Sequence, residues 1–244
     1  MDRVYIPATV TSIDYGAFLN ASKNLYVFCG VESAPSGYYK NIYNETWKDG
    51  VKKVIFSSYG WVDYGDAIFS INHSSTELTM VGYNLPESRT LELPSDGIIA
   101  KDGVRYVITS LGKAAKGDTQ LVRINIPSSV TVIENNEFDG CSNLKFVFEL
   151  NGSKIKSIGS YAFRGTKISE LSIPKTIRSV GERAFANTPN LTSISFDGTI
   201  TEWNEIVTKG SIIDGAYQIV FNKKWYSDSS IKTINCTNGQ TDPV

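Results

Sequence analysis

The side chains able to do chemistry are few: one histidine, His73, three cysteines, Cys29, Cys141 and Cys236, and 25 carboxylates. Nucleophilic or hydrolytic catalysis needs a base held against a nucleophile, or a metal-bound water. His73 lies in the alternating run INHSS, where a solvated strand face suits it better than general-base work. The cysteines are far apart and form no CxxC, so neither a zinc site nor a dense disulfide framework is indicated. Each fits a small buried apolar position, Cys141 above all, and a Cys-His pair would have to meet in space alone. GxSxG, HExxH, P-loop and GxGxxG motifs do not occur. Asp63-Tyr64-Gly65-Asp66 lacks the spaced oxygens of a calcium loop, and the other carboxylates are scattered over exposed-looking positions. The expectation is a chain without catalysis, metal or cofactor.

Charge points the same way. Lys plus Arg number 24 against 25 Asp plus Glu, so the formal charge of -1 exerts no long-range pull on nucleic acid or an anionic membrane. With 41% of the 244 residues apolar and 11% aromatic, a sizeable core is affordable. No apolar run is long enough for a membrane span, and MDRVYIPATV lacks the apolar region of a signal peptide. Asn20, Asn44, Asn72, Asn190 and Asn235 precede x-Ser/Thr, which matters only where eukaryotic glycosylation operates.

The elements that must position these residues are repeats. VYIPATVTSIDYGAF, INIPSSVTVIENNEF and LSIPKTIRSVGERAF superpose, with Ile6, Ile126 and Ile173 each 12 positions ahead of Phe18, Phe138 and Phe185. KIKSIGSYAF supplies Ile155, Ile158 and Phe163 without the proline, and VRYVITSLGKAA puts Leu111 and Ala115 in the Ile and Phe places. Ala115, Phe138, Phe163 and Phe185 step by 23, 25 and 22, a period of about 23 residues. Within one copy, Leu121, Ile124 and Ile126 turn a short strand's apolar side inward while Arg123 and Asn125 face out. Pro127 stops the strand because it has no N-H to donate, and Ser128-Ser129 begins the turn. Val130, Ile133 and Phe138 fill the return, and Asp139-Gly140 redirects the chain. One copy buries little, whereas stacked copies share a core.

The spacing breaks after Phe18, and residues 26–61 hold no repeat. Two arrays are therefore expected. Residues 1–61 are the end of a first array with its terminal cap, and 62–244 a second. The second divides into a β cap (62–94), repeats (95–196) and a closing cap (197–244) that holds a short helix around Trp203. Tyr38, Tyr39, Tyr43 and Trp47 read as sealing the first array, and Trp203, Trp225 and Tyr226 as sealing the second, the alternative being that these amphipathic rings face a partner. The chain opens directly inside a repeat, and its first array has one visible copy. It is expected to be a piece of a longer chain, or to have its short first part docked on the second.

Ile126-Pro127, Ser129-Val130-Thr131, Ile133, Phe138, Gly140-Cys141 and Leu144 together resemble the BspA-like, treponemal-type leucine-rich repeats of bacterial surface proteins. CGVESAPSG from Cys29, and FDGTITEWNEIVTKG with Cys236-Thr237, resemble ends of such arrays. Glu134 and Glu137 depart from the pattern where Gly and Ala are usual, as do Ala115 for Phe and Asn187-Thr188-Pro189 for the Gly-Cys turn. The resemblance implies a leucine-rich-repeat solenoid, mainly β with short strands and turns, displayed extracellularly or at the cell surface. It implies adhesion to host-matrix or neighbouring-cell protein, and the small, mixed side chains of the strand face fit a protein or glycan surface better than a deep pocket. The strand face expected to bind comprises Glu92, Arg123, Asn125, Glu170, Ser172, Ser193 and Ser195. The register of Lys145 to Leu150 stays open. The competing expectation is a structural spacer or self-association unit with no ligand of its own.

Overall fold

Short strands, each ended by proline or a polar turn, cannot pair within one copy and must pair between copies. The protein is described by a computed structural model over residues 2–11, 17–18, 21, 25–31, 51–56, 60–72, 75–100, 103–148, 154–209, 211–213, 216–218 and 224–243. His73, Asn20, Asn44 and the cluster Tyr38, Tyr39, Tyr43 and Trp47 lie outside the described residues.

β1 (Asp2–Ile6), β2 (Leu25–Cys29) and β3 (Val51–Phe56) form a parallel sheet in that order. β4 (Trp61–Tyr64), β5 (Ala67–Ile71) and β6 (Glu77–Tyr83) follow as an antiparallel meander. After β7 (Thr90–Leu91), β8 (Ile98–Ile99) and β9 (Arg105–Ser110) extend that meander to the order β4-β5-β6-β9-β8, with β9 parallel to β6. The strand of the weak copy VRYVITSLGKAA thus belongs to this five-stranded sheet, paired with Glu77–Thr79 of β6.

Beyond it the chain alternates between two edges. β10 (Arg123–Asn125), β11 (Val132–Ile133), β12 (Phe146–Phe148), β13 (Ser157–Ile158), β14 (Ser172–Ile173), β15 (Ser179–Val180) and β16 (Ser193–Phe196) come in sequence. On one edge the parallel orders are β12-β10-β7 and β14-β16; on the other, β11-β13-β15. One α-helix stands among the described residues, α1 (Ile200–Lys209). Its start is a reciprocal cap: Glu202 N-H donates to Thr199 Oγ1 (3.2 Å), and Thr199 N-H donates to Glu202 Oε2 (2.7 Å). The hairpin β17 (Ser211–Ile213) and β18 (Ala216–Gln218) follows. β19 (Thr233–Cys236) then returns parallel to β16, and β20 (Gly239–Thr241) closes antiparallel on β19. The segment from α1 to β18 therefore interrupts a stack that resumes at Lys224, whose carbonyl accepts the Arg183 N-H (2.9 Å).

The core is a column of rings. Phe138 stacks on Phe163 at 5.3 Å between centroids and Phe163 on Phe185 at 5.6 Å. Trp225 meets Phe185 edge-on at 5.9 Å, and Trp203 meets Trp225 at 6.0 Å. Trp203 and Trp225 are buried and Tyr226 half-buried. The indoles end the column, where an open stack would otherwise wet its last phenylalanine. The backbone returns to the left-handed region two residues before each column position, at Lys113, Asn136, Tyr161 and Arg183.

The first sheet packs on the five-stranded sheet. Tyr26 and Phe28 of β2 share a cluster with Ile68 of β5, joined by Trp61 and Val81. The Tyr26 hydroxyl donates to the Tyr83 carbonyl at 3.0 Å. Gly82 makes the approach possible, since a Cβ there would sit 2.3 Å from Tyr26 Cε1.

Candidate interaction surface

Strand alternation sorts the side chains of β7 and β10. Leu91 and Ile124 point into the core, 1% and 0% exposed, while Arg123 stands open between Thr90 on one side and Phe146 of β12 on the other. This fixes the register of Lys145 to Phe148: β12 runs parallel to β10, with Arg123 opposite Phe146 and Asn125 opposite Phe148. The half-buried ring of Phe146 lies beneath the Arg123 guanidinium, with Cζ 4.9 Å from the ring centroid. The pair contributes about 0.5–1 kcal/mol at a wet site and presents a flat, preorganised cation.

The remaining anticipated residues divide between two sheets. Ser172 lies opposite Ser195, Ser193 opposite Thr233 and Ser195 opposite Asn235, across β14, β16 and β19. Glu92 and Glu170 are exposed, one residue beyond β7 and two before β14. Asn125 is engaged in the fold itself. Its Oδ1 accepts the Leu93 N-H and its Nδ2 donates to the Leu93 carbonyl, each at 2.5 Å, so the side chain ties β10 to the backbone just beyond β7. Asn125→Ala is expected to cost about 1–3 kcal/mol, because it orphans both backbone groups of Leu93. Chemical denaturation checks this; a change under about 0.5 kcal/mol would mean water replaces the amide.

Phe146, Thr90, Thr233 and Asn235 were not anticipated on this face. A signal for Phe146 was present, since Leu144 and Val147 repeat the spacing of Leu121 and Ile124. Phe-Val-Phe reads as apolar in either register, which hid it.

The edge formed by the turns is charged and internally paired. Asp139, nearly buried, accepts from Arg164 Nε and Nη2 at 2.7 Å each, a two-pronged pair between successive copies. A groove of about 670 Å³ lies beside these turns, lined by Tyr26, Tyr83, Leu85, Lys116, Asp118 and Gln120 among others. The Tyr83 hydroxyl donates to Asp118 Oδ2 at 2.6 Å, and burial holds that phenol protonated far above its ordinary range.

Reactive chemistry finds little support in the thiols. Burial pushes Cys29 up to about 11 and Cys141 up to about 12, so neither is appreciably thiolate at neutral pH. Cys141 Sγ instead donates to the Ala115 carbonyl at 2.9 Å. Among the described residues no three His, Cys, Asp or Glu gather as metal ligands, and no helix is long and apolar enough to cross a membrane.

Comparison with known proteins gives the repeats a family. Residues 109–215 match the model of the BspA type leucine rich repeat region, in six copies. No curated protein matches the chain. Among solved structures, the pneumococcal vaccine antigen PcpA is 16% identical over 74% of this chain and 47% of its own, with a TM-score of 0.51. A leucine-rich repeat protein from Bacteroides ovatus is 18% identical over 71% of this chain and 46% of its own, with a TM-score of 0.46. Another, from Bacteroides capillosus, is 22% identical over 57% of this chain and 99% of its own, with a TM-score of 0.48. The chain thus spans about half the length of the first and second of these structures. At 16% identity the likeness to PcpA speaks for the fold alone. Taken with the stacked, parallel-paired copies, the family match establishes that residues 109–215 of this chain belong to the BspA type leucine-rich-repeat family.

Proposed function

We propose that the chain is a non-catalytic recognition module, displayed extracellularly or at a cell surface, that adheres to a protein or glycan through the outward side of β7, β10, β12, β14, β16 and β19. The copies are read as turns of a leucine-rich-repeat solenoid of about 23 residues per turn, whose outward residues vary without disturbing the core. The observation that carries this reading is the Arg123–Phe146 pair. An arginine braced on an aromatic ring, with the small polar Thr90 beside it, is the composition of a binding anchor on a broad surface. A deep small-molecule pocket would need a concave apolar lining instead. The family membership of residues 109–215 underlies the surface placement.

The test begins with binding of the purified chain to arrays of extracellular-matrix proteins, cell-surface proteins and glycans. Arg123→Glu and Glu170→Arg together are expected to weaken a saturable hit about 100-fold, a hot-spot-sized loss, while the melting temperature falls by no more than about 4 °C, since both residues are exposed and only the Arg123–Phe146 contact is lost. A partner bound with undiminished affinity would remove this face from consideration. The spacer reading draws on the docking of the first sheet through Tyr26, Phe28 and Ile68. Light scattering on the same sample separates the two: self-association with no heterologous hit favours the spacer.

A further inference from the structure

We infer that the turn Lys113–Asp118 is latched to the next turn by the protonated side chain of Glu137, making the joint between the β cap and the regular copies a proton-operated one. Three features of this joint differ from its neighbours. In later copies the N-H two residues before the column position donates to a main-chain carbonyl: Asn136 N-H to Ser160 O at 2.9 Å and Tyr161 N-H to Glu182 O at 3.1 Å. At this joint the corresponding Lys113 N-H donates to a side chain, Glu137 Oε1, at 2.7 Å. The column position here is Ala115, so Phe138 has a ring above it and a methyl group below, where Phe163 has rings on both sides. Glu137 itself occupies the place held by Ala162 and Ala184; it is 0% exposed, and its Oε2 has no partner among the described residues.

The facing charges are few. Glu134 accepts from Ser110 Oγ at 2.8 Å and lies 3.5 Å from Lys113 Nζ, and these two are the charged groups acting on Glu137. The following turn, Gly159 to Ala162, carries no carboxylate or ammonium, and Asp139 is paired with Arg164. Desolvation first, and the Glu134 charge second, push the Glu137 carboxyl from 4.5 up to about 7, against the lowering pull of the Lys113 and Glu134 N-H groups and of the Lys113 charge. A protonated Oε2 removes the buried charge while Oε1 keeps its bond to Lys113. Ionisation leaves a buried anion whose Oε2 is unsatisfied, which is relieved by admitting water between the turns. The released turn carries Lys116 and Asp118, so the groove beside Tyr83 changes shape with it.

The sign follows from proton linkage. The closed joint holds its proton more tightly than the open one, so closure is fully favoured below about 4.5 and weakens as pH rises to about 7. The opening constant rises about tenfold per pH unit across that window and levels off above it. Amide hydrogen exchange of the full chain, corrected for intrinsic rate, reads this at Lys113 and Gly117 from pH 4.5 to 8.5. Glu137→Gln, which keeps an Oε1 acceptor without a charge, is expected to flatten the profile. The Gly165 amide, bonded within the ring-packed copies at 2.9 Å to Ala186, should show no such slope. A carbon-13 titration of the wild-type Glu137 carboxyl needs no variant and should give a midpoint near 7. A midpoint near 4.5, a flat wild-type profile, or the same slope at Gly165 would each overturn the proposal.

Discussion

Phe163→Ala should lower the free energy of unfolding by about 3–5 kcal/mol, the loss seen when a large aromatic is removed from a core that closes poorly around the gap. Phe163 is 0% exposed and sandwiched between Phe138 at 5.3 Å and Phe185 at 5.6 Å, with interplanar angles of 19° and 6°. Each such pair adds about 0.5–1.5 kcal/mol beyond area burial, and truncation removes two pairs at once. Collapse is resisted because the rungs above and below are held apart by main-chain bonds, Phe163 N-H to Ala184 O and Phe138 N-H to Ala162 O, both 2.8 Å. Phe138→Ala, which loses one ring neighbour and faces Ala115 on its other side, should cost less. Denaturant midpoints of the two variants check the order. Equal losses, or a Phe163 loss below about 1.5 kcal/mol, would mean that the column does not hold the copies together.

Gly181→Ala is expected to destabilise the chain by about 2–3 kcal/mol, although it adds a single methyl group. An ideal Cβ at Gly181 would lie 2.3 Å from Ser160 N and 2.7 Å from Gly159 C, main-chain atoms of the preceding copy. Those atoms are fixed by the ladder that includes Gly181 N-H to Ile158 O at 2.8 Å, so the clash is relieved only by spreading the copies. Gly159 is in the same position against Asn135 N, at 2.4 Å. Gly117, with open space around its Cβ but φ at 75°, is the comparison: alanine there meets backbone strain alone and should cost about 1 kcal/mol. Thermal or denaturant unfolding of the three variants reads the difference. A Gly181→Ala protein as stable as wild type would show that the turns slide apart without penalty.

These two predictions rest on positions that recur in the sequence, and recurrence is what made the core legible. Ile126, Ile133 and Phe138 announce their burial by reappearing as Ile173, Val180 and Phe185, because every copy solves the same packing problem with neighbours of its own kind. The closing helix was readable around Trp203 for a related reason, a local one: Thr199 and Glu202 cap it from within four residues. The outward positions Arg123, Ser172, Ser193 and Ser195 followed from strand alternation.

Where a residue's role depends on what happens to lie across from it, alternation was not enough. Asn125 was assigned outward, and its amide also holds the Leu93 backbone just beyond β7. Phe146 was left unassigned, and pairing of β12 with β10 placed it under Arg123. β9 has the sequence of a repeat strand, yet it joined the cap sheet beside β6. Glu134 and Glu137 were visible as departures from the repeat pattern, without any indication that both reach back to Ser110 and Lys113 of the preceding turn. The sequence by itself determined the copy, its inward residues and the family, because those depend on contacts within one repeat and between identical ones. Only the tertiary structure decided the anchor on the face, the ends of the ring column and the joint at Glu137, because each is a contact between unlike segments whose spacing no periodicity encodes.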